Sequence, residues 1–94
     1  MILHVTEAKY LHTYQLEITF NDGRTGVADL SDVLIGDIFS PLKNHKQFEN
    51  FRVDGELETI VWENGADFAP EYLYFQAFKH DSKLQPLFKK WGYC

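Results

Sequence analysis

Four residues near the middle of the chain are of types that bind ligands or move protons. The sequence VWENGADFAPEYLY, residues 61–74, contains Trp62, Asn64, Asp67 and Glu71. Two carboxylates four residues apart, beside an amide and an indole, could act as an acid–base pair or hold a small polar molecule. The same residue types also turn a strand into a helix, because Asn-Gly favours a turn and Pro-Glu favours a helix start. We interpret the segment as mainly structural, and a small-molecule-binding or catalytic cleft near Trp62, Asp67 and Glu71 is the alternative.

Other residues that could do chemistry lack the spacing that a known site requires. The histidines are isolated from one another and from the single cysteine, Cys94, and isolated histidines carry little metal-ligand signal. Asp29, Asp32 and Asp37 match no calcium loop, and turn or capping roles account for them better. The sequence therefore predicts no catalytic residue, no metal site and no cofactor, and we interpret the protein as non-enzymatic.

The composition limits the classes of partner. Fourteen acidic against nine basic side chains give a net charge of −5, which argues against a protein that grips a phosphate backbone. Direct nucleic-acid binding is not expected, and association through the lysines between residues 79 and 90 is a weaker alternative. One cysteine cannot form an intrachain disulfide, and no stretch approaches the roughly 18 apolar residues of a membrane span. We expect a cytoplasmic protein with no membrane partner.

The strands that would position these residues can be predicted from apolar periodicity. Residues 14–20 alternate apolar and polar side chains, as a half-buried strand does, and Asn-Asp-Gly at 21–23 predicts a hairpin loop. Residues 24–30 should return as the antiparallel partner, and residues 2–9 are rich in strand-forming types. A three-stranded antiparallel meander is therefore predicted, with a later strand over residues 57–62.

Three short helices are expected to pack against these strands. Asn44 and Gln47 have capping-box spacing, which predicts a helix over about residues 45–51. Pro70 and Glu71 predict a helix over residues 70–78, and an apolar repeat predicts a C-terminal helix over about residues 83–91. A single helical turn is also expected at residues 31–35. The predicted fold class is α+β, in one domain that covers residues 1–94.

The C-terminal helix would carry an apolar stripe, which consists of Leu84, Leu87, Phe88 and Trp91. In a domain of this size such a stripe packs into the core or forms a homodimer, and it is also the pattern of a helix that binds a partner protein. Solvent exposure distinguishes these alternatives, because a stripe left open would mark an interface.

Several short motifs occur in a fixed order along the chain. They are FNDG at 20–23, VADL at 27–30, IFSPL at 38–42, Phe48, IVW at 60–62 and NGADFAPEYL at 64–73. As an ordered set they resemble a small prokaryotic family, domain of unknown function 2442. The resemblance covers about residues 5–77 and leaves residues 78–94 as a C-terminal helical extension.

The resemblance implies an α+β domain with a meander of strands and a helix after the W-x-N-G-A-D segment. It implies no catalytic or cofactor residues. Some relatives carry a C-terminal helix-turn-helix, and others are encoded beside a second small protein in pairs proposed to be toxin–antitoxin modules. Residues 78–94 are too few for a helix-turn-helix domain, so direct DNA binding is not expected. We expect an interaction module that binds another small protein as an antitoxin-like component, with self-association into a homodimer as a second expectation.

Overall fold

The computed structural model describes residues 2–93 and has an α+β fold, as predicted. The strands are β1 (Val5–His12), β2 (Gln15–Phe20), β3 (Thr25–Asp29), β4 (Phe51–Asp54) and β5 (Thr59–Trp62). The helices are α1 (His45–Phe48), α2 (Pro70–Phe78) and α3 (Gln85–Trp91), with single 3-10 turns at Ser40–Lys43 and Ser82–Leu84.

Strands β1, β2 and β3 form the predicted antiparallel meander, with β2 in the centre. Leu16, Ile18 and Phe20 of β2 are buried, which confirms the alternation seen in the sequence. Gly23 has a φ of 86°, and its N–H donates to the carbonyl oxygen of Phe20 at 2.9 Å. This is the left-handed position that a three-residue hairpin loop assigns to glycine.

Strands β4 and β5 form a separate antiparallel hairpin, and its turn is longer than the sequence suggested. The Asp54 carboxylate accepts the N–H groups of Glu56 and Leu57 at 2.8 and 2.9 Å, and Glu58 has a φ of 58°. Those two N–H bonds hold the pKa of Asp54 below its usual value. Because the turn uses these residues, β5 begins at Thr59 instead of residue 57.

Two other predicted boundaries were also wrong. Strand β1 was expected over residues 2–9, but it covers Val5–His12. It pairs with β2 along this whole length, across two bulges. The single helical turn expected at residues 31–35 is not helical; instead a 3-10 turn occurs later, at Ser40–Lys43. For β1, pairing with β2 therefore decides the boundary.

The helix α2 has the predicted bounds, and the other two helices are shorter than predicted. Asn44 caps α1, since its side chain accepts the N–H groups of Lys46 and Gln47, but α1 ends at Phe48 because residue 51 already belongs to β4. The C-terminal helix was expected to start at about residue 83. A 3-10 turn capped by Asp81 comes first, and α3 begins only at Gln85.

Gly26 allows α2 to lie close to β3. A Cβ atom at this position would lie 2.6 Å from a ring carbon of Phe78 and 3.1 Å from the Cβ of Ala77. Gly55, in the β4–β5 turn, has no heavy atom within 4 Å of the corresponding position. The two glycines are therefore a matched pair that differs in the space around the added methyl group.

Replacing Gly26 by alanine should destabilise the fold, whereas the same change at Gly55 should not. We expect Gly26→Ala to lower the free energy of unfolding by about 1–2 kcal/mol, because Phe78 must move away from the added methyl. Gly55→Ala should leave the free energy of unfolding unchanged or raise it by up to about 1 kcal/mol, because alanine reduces the conformational entropy of the unfolded chain. Urea unfolding followed by circular dichroism measures both values, and equal effects at the two positions would contradict the close approach of α2.

Candidate functional site

The structure places Trp62 in the core. Its side chain is 1% exposed, and its indole Nε1–H donates to the carbonyl oxygen of Phe48 at 2.7 Å. The rings of Phe48, Phe51 and Phe68 surround it, with centroids 5.7, 6.3 and 5.8 Å away. An indole held in this way contributes packing and one buried hydrogen bond.

Unlike Trp62, neither Asp67 nor Glu71 is buried in the core. Asp67 is exposed at a single backbone bridge with Val61, and Glu71 is half-buried in the first turn of α2. Burial, and then the charge of Glu71, raise the pKa of the Tyr93 hydroxyl. Glu71 therefore lies near the C-terminal segment, and the four surface clefts identified within residues 2–93 are not lined by Trp62, Asp67 or Glu71.

Asn64, by contrast, lines a surface cleft. The cleft has a volume of about 300 Å³, and its walls are Leu42, Gln47, Asn50, Glu63 and Asn64. The Asn64 side chain is fully engaged at the edge of the cleft: its Nδ2 donates to the carbonyl oxygen of Ile38 at 2.8 Å, and its Oδ1 accepts the N–H of Ala66 at 3.0 Å. Asn64 thus makes the turn that the sequence predicted and also ties residue 38 to the cleft.

The remaining polar side chains of the cleft are only partly engaged. Asn50 Nδ2 donates to Glu63 Oε2 at 2.9 Å. Within residues 2–93, the Asn50 Oδ1 atom and the side-chain amide of Gln47 have no hydrogen-bond partner. The cleft therefore presents a carboxylate and amide groups above the buried side chain of Leu42.

An apolar rim adjoins this polar cleft. Ile38 is 45% exposed although its carbonyl oxygen is fixed by Asn64, and Ile35, on the same connecting segment, is 69% exposed. We call the five cleft-lining residues together with Ile38 the cleft face. Protein interfaces combine apolar contacts with surrounding polar groups, and the cleft face offers both.

The apolar stripe of the C-terminal segment is packed against its own domain. Phe88 is fully buried, and its ring lies 5.1 Å from Phe75 and 6.4 Å from Tyr74, centroid to centroid. The other three members, Leu84, Leu87 and Trp91, are half-buried against the core. This packing agrees with the first of the alternatives for the stripe, in which it packs into the core of its own domain.

A polar network that the sequence did not reveal joins the β2–β3 loop to the C-terminal segment. Tyr74 Oη donates to Asp22 Oδ2 at 2.8 Å, and Arg24 bonds both the Tyr74 hydroxyl, at 3.4 Å, and Asp81 Oδ2, at 2.8 Å. The Arg24 guanidinium, followed by the N–H of Lys83, lowers the pKa of Asp81, whereas burial, followed by Asp22, raises the pKa of Tyr74. The partners are 50 to 57 residues apart, so sequence spacing contains no signal for them.

Two classes of feature are missing from the described part of the chain. Between residues 2 and 93, no three His, Cys, Asp or Glu side chains are grouped so that they could hold a metal ion. None of the helices in this range combines the length and the apolar character needed to cross a membrane.

The fold and the cleft define a small α+β domain that presents a polar surface cleft with an apolar rim. The chain belongs to the family described as Protein of unknown function (DUF2442), whose model matches residues 5–79. This match confirms the family resemblance, and α3 lies beyond its end. Searches of the curated proteins and of the solved structures found no significant match.

Proposed function

We propose that the protein is a non-enzymatic interaction module that binds another small protein through the cleft face, as the antitoxin-like member of a two-protein pair. The observation that carries the proposal is the exposed side chain of Ile38 beside a cleft whose polar groups are partly unpaired. A partner can bury the isoleucine and complete the hydrogen bonds in one contact.

The rigidity of the cleft face favours binding. The Asn64 side chain fixes both the backbone of Ile38 and the backbone of Ala66, so the apolar rim is held in place before a partner arrives. A contact surface that is already ordered loses less conformational entropy on association. The polar walls then supply orientation, because unpaired hydrogen-bonding groups reject partners that leave them unsatisfied.

The chemistry of the cleft favours recognition over catalysis. Glu63 is the only carboxylate among the lining residues, and three of the other four are amides. Acid–base catalysis in a cleft generally needs a second titratable group or a nucleophile near the first. The alternative of a reaction or ligand site at Trp62, Asp67 and Glu71 has less geometric support, because these side chains line none of the four clefts identified within residues 2–93.

Replacing Ile38 by serine should weaken the complex with the partner, and the product of the neighbouring gene is the partner to test. We expect Ile38→Ser to reduce the affinity at least about tenfold, because the partner would lose the apolar contact that the proposal assigns to this side chain. Leu57→Ser is the matched control, because Leu57 is 56% exposed on the distant β4–β5 turn. Copurification followed by isothermal titration calorimetry measures these affinities.

Two results would contradict the proposal. One is the lack of any complex at micromolar concentration, and the other is an equal loss of affinity in the two serine variants. The antitoxin-like role has its own readout: coexpression of the protein should relieve the growth inhibition caused by the partner, and Ile38→Ser should relieve it less than Leu57→Ser.

A further inference from the structure

Glu63 gives the cleft a negative charge beside the side-chain carbonyl oxygen of Asn50, and this pair of acceptors selects the charge of the group that the cleft binds. Glu63 Oε2 accepts one hydrogen bond, from Asn50 Nδ2, and the second carboxylate oxygen, Oε1, accepts none from residues 2–93. The Asn50 carbonyl oxygen, Oδ1, also accepts no hydrogen bond from residues 2–93. Two adjacent acceptors, one of which carries a negative charge, favour a cationic donor.

No basic side chain of the protein neutralises Glu63. None of the cleft-lining residues is a lysine or an arginine, and Glu63 forms no ion pair within the described chain. Arg52 lines an adjoining depression together with Glu63, but its guanidinium pairs with Asp54 at 3.4 Å. The Glu63 charge is therefore available to a partner.

We propose that the cleft receives an arginine side chain of the partner protein, an inference that rests on the proposed function and names the group recognised. The guanidinium donates to Glu63 Oε1 and to Asn50 Oδ1, while the aliphatic part of the side chain lies over Leu42. Arginine suits the cleft better than lysine because its planar group offers several fixed donors, which can serve two neighbouring acceptors at once. An apolar residue next to this arginine would contact Ile38.

The net charge of the whole protein also favours a basic partner. Its net charge of −5 attracts a basic partner at long range and increases the rate of encounter. The cleft then provides the short-range selection, through the geometry of its two acceptors.

The test is a titration of the full chain with N-acetyl-arginine amide, followed by two-dimensional NMR. The backbone signals of Gln47, Asn50, Glu63 and Asn64 should shift together and saturate. N-acetyl-citrulline amide, which has nearly the same shape without the charge, should bind about threefold to fivefold more weakly, as expected for an exposed charge pair. N-acetyl-lysine amide should also bind more weakly than the arginine compound.

Two variants locate the binding. Glu63→Gln should reduce the affinity for the arginine compound by the same threefold to fivefold, whereas Glu56→Gln, at the other end of the β4–β5 hairpin, should leave it unchanged. The proposal would be overturned by no binding, by shifts confined to another surface, by equal binding of the lysine or citrulline compound, or by an unchanged affinity in Glu63→Gln.

This titration needs no partner, so its outcome is separate from that of the proposed function. If the cleft binds the arginine compound while the neighbouring gene product forms no complex, the arginine site holds and the choice of partner fails. If a complex forms and Glu63→Gln binds it as tightly as the unmodified chain does, the interaction module holds and the arginine site is overturned.

Discussion

Phe88→Ala should lower the free energy of unfolding by about 3–5 kcal/mol, because the phenyl ring is fully buried and its removal leaves a cavity. The ring lies edge-on to Phe75, 5.1 Å away between centroids, and the surrounding aromatic rings are too rigid to fill the space. A loss of this size is a large fraction of the 5–15 kcal/mol that stabilises a typical domain. Urea unfolding monitored by circular dichroism measures it.

The neighbouring residue provides the control for this prediction. Lys89 is exposed on the same helix, and Lys89→Ala should change the free energy of unfolding by no more than about 0.5 kcal/mol. If the stripe were instead an open partner-binding face, Phe88→Ala would leave stability nearly unchanged and abolish a complex. A loss below about 1 kcal/mol for Phe88→Ala would therefore contradict the packing of α3 onto the core.

Features set by neighbouring residues could be predicted from the sequence. The alternation in β2, the glycine of the β2–β3 loop and the start of α2 at Pro70 all depend on local conformational preferences, and all three agree with the structure. The Asn44 cap of α1 is of the same kind, since its acceptor and donors lie within three residues.

The ends of several helices and strands could not be predicted, because they depend on residues that are distant in the sequence. Phe51 follows Phe48 at helical spacing, but it pairs with Trp62 in the β4–β5 hairpin, so α1 ends before it. A strand pairing of this kind satisfies backbone groups and buries side chains at once, which outweighs the weak helix preference of one further turn.

The candidate site was only partly predictable, because the cleft is assembled from three separate stretches of the chain. Asn64 was identified through its turn motif and Gln47 only as part of a helix start, whereas Asn50 and Glu63 are ordinary polar residues whose spacing in the sequence has no distinctive pattern. Their significance arises only when the β4–β5 hairpin places Glu63 beside the end of α1. Asp67 and Glu71 had the more suggestive spacing, yet the turn and the start of α2 direct them to different surroundings.

Trp62→Ala should be as damaging as the change at Phe88, with an expected loss of about 3–5 kcal/mol in the free energy of unfolding. Its indole fills the space between Phe48, Phe51 and Phe68, and its Nε1–H satisfies the buried carbonyl oxygen of Phe48. The cost should therefore have two parts, a cavity and an unpaired acceptor. Urea unfolding followed by circular dichroism measures the total.

Trp62→Phe separates these two parts, since it keeps an aromatic ring but removes the donor to Phe48. We expect a smaller loss of about 1–3 kcal/mol, which reflects mainly the carbonyl oxygen left without a partner. Trp91→Phe is the control, because Trp91 is half-buried and its indole N–H makes no hydrogen bond within residues 2–93. A Trp62 that lined a ligand cleft would tolerate both of its substitutions with little loss of stability, so a loss below about 1 kcal/mol in Trp62→Ala would contradict its place in the core and favour the cleft alternative.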